Sequence, residues 1–401
     1  MSGDASLAGS VLCVGHVCVD LVNLCSYYPE EDAKVGSTTK NNRNVSETIE
    51  HFLLQCPRFH SHHVVLRSQL LTLNVATFDL PTLLGGAGLL PCGSMHSGRI
   101  VYIWAHDTHG SPAPPPCLEQ RWQRGGNAAN NSTVLGLLGA KAAFLGTIAD
   151  SHEKRFLLED FAKYGVNTEQ AVVCEGCECP SSCVILSRAN ASRTIIHSNK
   201  NLPELTVEDF TRVDLTPYQW IHFEGRNVAN VAQMIALVRE HNKGLTQGEF
   251  ITTSVEIEKA KPELEALIPL ADVVFVSKDY AAFKGYSSMT ETLDRVRAVA
   301  HPGAVVVCPW GEEGASACRG REVAVHSSAF PPTCVVDTLG AGDTFNAATI
   351  FALAHGSALV DSIRFGCRVA GAKVGVVGWE PLRGLLKAGA LLLKDEAATA
   401  T

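Results

Sequence analysis

The chain has 401 residues, with 33 Lys+Arg against 41 Asp+Glu and a formal net charge of −8. This acidic balance argues against a general binder of nucleic acids or of anionic membranes. Hydrophobic residues make up 46% of the chain and charged residues 18%, so there is enough apolar surface for a core. We therefore exclude disorder over the whole length and expect one large α/β domain or two ordinary domains.

Strand-like apolar runs alternate with helical segments along most of the chain. The predicted strands are 11–22, 142–148, 183–188, 193–197, 220–223, 250–257, 273–276 and 304–308. The predicted helices are 134–138, 153–164, 228–241, 262–267, 289–300, 342–354 and 360–372. This alternation predicts a parallel sheet covered by helices on both faces, in which a ligand binds beyond the carboxyl ends of the strands.

Residues 36–116 do not fit the alternation. The segment begins with the polar string STTKNNRN and ends with SPAPPP. It is too long to be a structureless loop of a compact domain. We predict a poorly ordered or peripheral insertion. The string ETIEHFLLQCPRFHSHHVVLRSQL, which contains Cys56, His60, His62 and His63, resembles the C-terminal region of non-LTR retrotransposon reverse transcriptases. The segment also interrupts a pattern that would otherwise join Val35 to Cys117, which favours a fragment derived from a transposon or intron. A zinc knuckle is the alternative.

The fourteen cysteines are scattered, and several lie in apolar runs, where a free cysteine acts as a small hydrophobe. The first apolar run contains His16 and Asp20 and has no basic residue before it, which is atypical of a signal peptide or a membrane span. We expect a reducing, cytoplasmic location.

A second cysteine pattern is C-x2-C-x-C-x3-C, formed by Cys174, Cys177, Cys179 and Cys183. Metal ligands occur at such spacings. Clustered exposed thiols also oxidise together, and this redox sensitivity is the interpretation that we favour. Metal binding stays open as the alternative.

The most informative string is VDTLGAGDTFNA at 336–347. Two glycines bracket an alanine at the start of a predicted helix, where small residues allow close approach of a ligand and the first-turn N–H groups favour an anion. Asp343 lies in the same turn. Its alternative role is a simple N-terminal charge that stabilises the helix by up to about 1 kcal/mol.

DTLGAGDTFNA resembles the C-terminal signature of the ribokinase-like (phosphofructokinase B) carbohydrate kinases, and RGGNAAN at 124–130 resembles their N-terminal glycine pair. Strings such as CLEQRWQRGGNAANNSTVLGLLGAKAAFLG, HFEGRN, SVEIEK and WGEEGA are most similar to the members that phosphorylate ketohexoses. The resemblance covers 11–35 and 117–378, leaving 379–401 as a C-terminal extension. It implies an α/β fold with a mostly parallel sheet, helices on both faces and a small β lobe. In the family, the lobe covers the sugar and pairs two subunits, which implies a homodimer.

The resemblance also implies an activity, which is ATP-dependent phosphorylation of the 1-hydroxyl of D-fructose or a related ketose. Asp343 would act as the general base. The amides of Gly340, Ala341 and Gly342 would form an anion hole for the transferred phosphoryl group. The implied cofactor set is ATP with Mg²⁺, together with a monovalent cation such as K⁺.

On the sugar side, the family's hexose contacts match Asp20, Gly126, Asn127 and Asn130. Asp20 is the one charge in a twelve-residue apolar strand, so it must lie near solvent, a partner or a ligand. A carboxylate in a turn at the strand end is the alternative. Asn127 and Asn130 are three residues apart, which places both amides on one helix face.

On the nucleotide side, the resemblance places Arg193 at the ATP phosphates. Gly311, Glu312, Glu313 and Gly314 would border the nucleotide, with Glu313 near the metal-bound phosphates. The alternatives are an exposed charge on a hairpin for Arg193 and an ordinary polar turn for 311–314.

Neither a P-loop nor a dinucleotide-binding glycine fingerprint occurs in the sequence, which excludes those nucleotide-binding classes. Two alternatives to a ketose kinase remain. One is a kinase of the same family for another sugar or a nucleoside. The other is an inactive or regulatory isoform that is blocked by the insertion.

Overall fold

A computed structural model describes residues 10–25, 34–35, 117–187, 193–246 and 248–387. The predicted insertion at 36–116, its Cys/His string and the last part of the C-terminal segment lie outside the described residues. The chain divides into two compact units. The larger unit contains Met1–Asp20, Trp122–Ser181 and Asn201–Thr401, and the smaller unit contains Leu21–Arg121 and Ser182–Lys200.

Strands and helices alternate through the described residues. The strands are β1 (Ser10–Val14), β2 (Cys18–Cys25), β3 (Lys34–Val35), β4 (Cys117–Gly125), β5 (Lys141–Leu145), β6 (Thr147–Ala149), β7 (Val172–Cys174), β8 (Ser181–Ser187), β9 (Arg193–Ser198), β10 (Tyr218–Glu224), β11 (Thr252–Ile257), β12 (Val273–Val276), β13 (Val305–Pro309), β14 (Ala315–Arg319) and β15 (Val325–Ser327).

The α-helices are α1 (Asn127–Leu137), α2 (Glu153–Lys163), α3 (Val207–Phe210), α4 (Val228–Asn242), α5 (Lys278–Phe283), α6 (Met289–Arg297), α7 (Ala341–Ala354), α8 (Leu359–Val374) and α9 (Glu380–Lys387). Two 3₁₀ helices cover Pro262–Leu270 and Gly311–Glu313.

An eight-stranded sheet forms the centre of the larger unit, in the order β15-β14-β13-β12-β11-β10-β1-β5. Six neighbouring strands of this sheet are parallel to one another, namely β13, β12, β11, β10, β1 and β5. The pairings of β13 with β14 and of β14 with β15 are antiparallel. This confirms the predicted α/β class with a mostly parallel sheet. A second sheet has the order β3-β9-β8-β2-β4, and it supplies the strands of the smaller unit.

The central sheet buries both of its faces. In β12, Val273 and Phe275 pack in one hydrophobic cluster, whereas Val274 and Val276 pack in the other. Successive side chains of a strand point to opposite faces, so an uninterrupted apolar run is what a doubly covered sheet requires. The first cluster includes residues of α1, α7 and α8, and the second includes residues of α4 and α6.

Two predicted strands are each divided by a glycine. The strand predicted at 11–22 is β1 followed by β2, and the strand predicted at 142–148 is β5 followed by β6. A Cβ on Gly15 would lie 2.7 Å from the side chain of Glu224, and one on Gly146 would lie 2.2 Å from Gly15 O. Both breaks therefore occur where backbone and side chains approach too closely for any other residue.

The described start of the predicted C-terminal extension packs on the larger unit. Trp379 and Leu382 are 4% and 1% exposed and belong to a hydrophobic cluster of the larger unit. The boundary after residue 378 stays a prediction, with Trp379 and Leu382 packed directly after it.

A buried ion pair connects α8 to the segment before α7. Lys373 Nζ lies 2.8 Å from Asp337 Oδ2, and the two side chains are 0% and 1% exposed. Burial alone would raise the pKa of Asp337, but the charge and the hydrogen bond of Lys373 hold this pKa below its ordinary value. Removal of Lys373 would leave the buried Asp337 charge without its ion-pair partner.

We expect Lys373→Met to destabilise the protein by about 3–5 kcal/mol, because the Asp337 charge loses its buried partner. Urea unfolding provides the measurement. Lys163→Met is the matched control, since the pair of Lys163 with Glu380 is about half exposed and such pairs contribute about 0–1 kcal/mol. Equal losses in the two variants would contradict this prediction.

The same pair predicts how stability depends on acid. The pKa of Asp337 is lower in the folded state than in the unfolded state. Its stabilising effect is therefore present above the ordinary aspartate pKa of about 3.9 and is lost as the pH falls through the lower folded value. We expect the free energy of unfolding to fall less steeply with acid in Asp337→Asn than in the unaltered protein, measured between neutral pH and pH 3.

Candidate active site

The turn before α7 carries the most informative sequence motif. Gly340 has φ of +73°, in the left-handed region, directly before the helix begins. A Cβ at this position would lie 2.5 Å from the Trp379 ring. Glycine is therefore required for both conformation and space. A Cβ on Gly342 would meet nothing within 4 Å, so the first helical turn is open to a ligand.

Two of the three amides in the predicted anion hole can receive a ligand. Ala341 N donates to Thr338 O at 3.2 Å. Gly340 N and Gly342 N make no hydrogen bond within the ranges that the structure describes. The N–H groups of a first helical turn favour negative charge, so these two amides are suited to an anion. Of the three amides in the predicted anion hole, the one already engaged is therefore that of Ala341.

Asp337 holds this turn in place. Its Oδ1 accepts a hydrogen bond from Leu339 N at 3.0 Å, and its Oδ2 accepts one from Gly378 N at 3.1 Å. Lys373 Nζ donates to Asp337 O at 3.0 Å, in addition to its contact with the carboxylate. One buried side chain therefore connects the turn before α7 to α8 and to the segment before α9.

Asp343 and Asn130 lie on different helices and meet at their N-terminal ends. Asn130 Nδ2, on α1, donates to Asp343 Oδ2, on α7, at 2.8 Å. Both side chains are buried. The predicted base and one predicted sugar ligand therefore share one site, although they are 213 residues apart in the sequence.

Asp20 lies beside the glycine pair that precedes α1. A Cβ on Gly125 would lie 2.3 Å from Asp20 Oδ2. Gly126 has φ of +102°, and a Cβ there would lie 2.2 Å from His16 O. The two glycines therefore allow the chain to pass close to Asp20 in β2 and to the His16 backbone. The start of α1 consequently lies next to the Asp20 carboxylate.

Asn127 donates hydrogen bonds to two carboxylates that the sequence analysis did not identify. Its Nδ2 donates to Glu256 Oε2 at 3.1 Å and to Glu258 Oε2 at 2.8 Å. Asn346 Nδ2 donates to Glu256 Oε1 at 2.9 Å. Glu256 therefore connects α1 to α7. The available signal was the string SVEIEK, in which acidic residues appear at the carboxyl end of a buried strand.

Burial raises the pKa of Glu256 well above its usual range. The negative charges of Glu258, Asp343 and Glu224 act in the same direction, whereas the hydrogen bond from Asn127 opposes the shift. Glu256 consequently binds a proton more readily than a surface glutamate does.

Glu224, at the end of β10, was also missed. It lies 3.1 Å from Lys259 Nζ and 3.3 Å from Arg226 Nη1, and its Oε2 accepts a hydrogen bond from His16 N at 3.0 Å. Burial alone would raise the pKa of Glu224, but the two cations and His16 hold it far below its usual range. Through its hydrogen bond with His16 N, this charged carboxylate stabilises the loop between β1 and β2.

The proposed nucleotide turn, 311–314, follows β13 at the same end of the parallel strands. Gly311 and Gly314 have φ of +61° and +89°, and a Cβ on Gly314 would lie 2.1 Å from Ser327 O. Glu312 lies 3.4 Å from Lys278 Nζ, and Glu313 is exposed. Arg193 begins β9 in the smaller unit, and its side chain lies outside the described residues.

The cysteine quartet is unequally accessible. Cys179 is buried, and burial raises the pKa of its thiol to about 12. Cys174, Cys177 and Cys183 are half-buried. In the part of the chain that the structure describes, no three or more His, Cys, Asp or Glu side chains are grouped so that they could hold a metal ion. The string Cys56–His63 lies outside that part.

Among the described helices, none is both long and apolar enough to cross a membrane.

Comparison with known proteins shows which family the chain matches. The model of the pfkB family carbohydrate kinases matches residues 100–381, beginning inside the predicted insertion. Mouse ketohexokinase is 47% identical over 264 residues, which are 66% of this chain and 89% of that protein.

Two solved structures share the fold. A probable sugar kinase from Rhizobium etli has a TM-score of 0.64 at 18% identity, covering 96% of this chain and 100% of the other. Arabidopsis thaliana ribokinase, complexed with ribose and ATP, has a TM-score of 0.61 at 15% identity, covering 95% and 98%.

These matches confirm the predicted ribokinase-like fold and the resemblance on which it was based. A sugar kinase of this kind transfers a phosphoryl group from ATP to an alcohol group. With its family model matched over more than half of its length, the chain belongs to the pfkB family of carbohydrate kinases.

Proposed function

We propose that this protein transfers the γ-phosphoryl group of ATP to the 1-hydroxyl of a ketohexose, D-fructose, giving fructose 1-phosphate. The similarity to mouse ketohexokinase supports the choice of sugar. The observation that carries the proposal is the 2.8 Å hydrogen bond between Asn130 and Asp343. It joins a sugar-side amide to a carboxylate in the helical turn whose amides can bind an anion.

Asp343 accepts the proton of the attacking hydroxyl in this mechanism. The carboxylate is buried, and Asn130 holds it in position. A base fixed beside the sugar needs no further reorganisation as the hydroxyl attacks.

The amides of Gly340 and Gly342 stabilise the negative charge that develops on the transferred phosphoryl group. Phosphoryl transfer depends chiefly on positioning and charge stabilisation, so fixed amides at a helix N-terminus suit this task. The openness around Gly342 fits the approach of a phosphate.

The 311–314 turn borders the nucleotide in this proposal, with Arg193 at its phosphates. Mg²⁺ would be bound by one or two carboxylates, phosphate oxygens and water, and the exposed Glu313 is the residue that we place near it. Bound Mg²⁺ would neutralise phosphate charge. The requirement for K⁺ stays a prediction, which is tested by replacing K⁺ with another cation in the activity assay. The homodimer also stays a prediction, which is tested by sedimentation.

The sugar lies among Asp20, Gly126, Asn127 and Asn130. The glycine pair places the start of α1 beside Asp20, so the two amides and the carboxylate can contact one small polyol. A different sugar or a nucleoside is the alternative substrate, distinguished by comparing turnover of D-fructose, D-ribose and adenosine.

Asp343→Asn should lower kcat on D-fructose by about 10²–10⁴, because the amide keeps the size of the side chain but cannot accept the proton. ATP binding, measured by calorimetry, should persist because the backbone amides are unchanged. Asp361→Asn is the control, since Asp361 is an exposed residue of α8 that pairs with Arg364. Turnover of Asp343→Asn equal to that of the control would remove Asp343 from the mechanism.

Deletion of residues 36–116 tests the blocked-isoform alternative. We expect the deleted protein to phosphorylate D-fructose at least as fast as the full chain, because the matched site residues lie outside this segment. Activity that appears only after deletion would show that the segment inhibits the enzyme. Absence of fructose turnover in both proteins would contradict the proposed substrate.

A further inference from the structure

The hydrogen bonds of Asn127 favour one orientation of its amide. Both hydrogens of its Nδ2 are used, one toward Glu256 and one toward Glu258. Rotating the amide would break both of these hydrogen bonds and would place its oxygen against the Glu258 carboxylate, which is itself an acceptor when ionised. The oxygen of Asn127 is therefore the group that remains for a ligand.

Asn130 is oriented in the same way. Its Nδ2 is directed to the Asp343 carboxylate. Its Oδ1 is buried and accepts no hydrogen bond from the described residues, and the side chain is 7% exposed. A buried acceptor without a donor is costly, so it points to a donor that arrives with the ligand.

We propose that the sugar site recognises hydroxyl groups through their hydrogens, with Glu256 and Glu258 as the positioning residues that fix the Asn127 amide. The side chains that would face the sugar then present acceptors: the carboxylates of Asp20 and Asp343 and the amide oxygens of Asn127 and Asn130. The ligand class is a neutral polyhydroxylated molecule that donates several hydrogen bonds. This inference rests on the proposed sugar-kinase function, but it does not depend on which neutral sugar is used.

Glu256 is well placed to fix the amide. It is buried in β11, and its second oxygen accepts a hydrogen bond from Asn346 on α7. The two helices whose N-terminal ends carry Asn127 and Asp343 are therefore connected through one side chain. Glu258 follows two residues later and is half-buried, so its replacement disturbs the core less.

The first experiment uses Glu258→Gln and Glu256→Gln. A glutamine side chain can donate to the Asn127 oxygen, which permits the amide to turn away from the sugar. We expect the KM for D-fructose to rise about tenfold or more in each variant, as for the loss of a charge-assisted hydrogen bond. The KM for ATP should stay within about twofold of the unaltered protein.

Glu263→Gln is the matched control, because Glu263 is exposed on a 3₁₀ helix. Thermal unfolding of each variant shows whether it folds. If Glu256→Gln does not fold, Glu258→Gln alone decides. A folded Glu258→Gln protein with an unchanged KM for the sugar would overturn the proposal, as would equal rises in the KM for sugar and for ATP.

The second experiment tests the direction of the hydrogen bonds in the unaltered full chain. Binding of fructose analogues is measured by calorimetry, with each hydroxyl other than the 1-hydroxyl replaced in turn by hydrogen or by fluorine. Fluorine cannot donate. At one or more positions we therefore expect the fluoro analogue to bind as weakly as the deoxy analogue. Recovery of binding by fluorine at every position where the deoxy analogue is weak would overturn the proposal.

Different results would contradict the proposed substrate and the proposed direction of the hydrogen bonds. If calorimetry shows that D-ribose or another neutral sugar binds instead of D-fructose, the proposed substrate is wrong, and the variants are measured on the sugar that binds. If the preferred ligand is a sugar acid, whose carboxylate can only accept, the inference about hydrogen-bond direction is wrong even though a sugar is bound.

Discussion

The turn before α7 depends on the buried ion pair between Lys373 and Asp337. Both side chains are almost fully buried, and the Asp337 carboxylate also accepts hydrogen bonds from Leu339 N and Gly378 N. A buried ion pair is tolerated when such additional hydrogen bonds satisfy its oxygens. The pair holds the turn that ends at Gly340, whose left-handed conformation brings two amides to the start of the helix. The position of the proposed anion site thus follows from a contact that lies outside it.

A second set of contacts, made by Glu256, brings the residues of the proposed sugar site close to the turn before α7. Glu256, in the central strand β11, is bonded to Asn127 on α1 and to Asn346 on α7. The carboxyl ends of parallel strands and the N-terminal ends of the following helices meet at one edge of a sheet, which is where α/β proteins bind ligands. The hydrogen bond between Asn130 and Asp343 then completes the connection between the two helices. The cost of burying Glu256 is evident in its raised pKa.

Local patterns predicted much of the fold correctly. The β-branched run of β12 and the helix that ends before Gly165 follow from neighbouring residues alone. The predicted start of the first helix, at residue 134, was late, because the true first turn at Asn127 has small and polar residues without apolar periodicity. The role of Trp379 was also missed, since its packing against Gly340 connects two distant segments. The burial of Glu224 and Glu256 could not be predicted, because it results from the pairing of strands that are far apart in sequence.

The sequence by itself determined the fold class, the family and the residues of the two glycine motifs, because short strings with a strict need for glycine and for one carboxylate are informative without any contacts. Only the tertiary structure decided which backbone amides at the turn are already hydrogen-bonded, which carboxylates hold Asn127 and to which partner each side-chain amide donates. Those properties depend on hydrogen bonds between residues as much as 129 or 213 positions apart. Such distant partners leave no periodic or local pattern, since they become neighbours only when the parallel strands bring their carboxyl ends to one edge of the sheet.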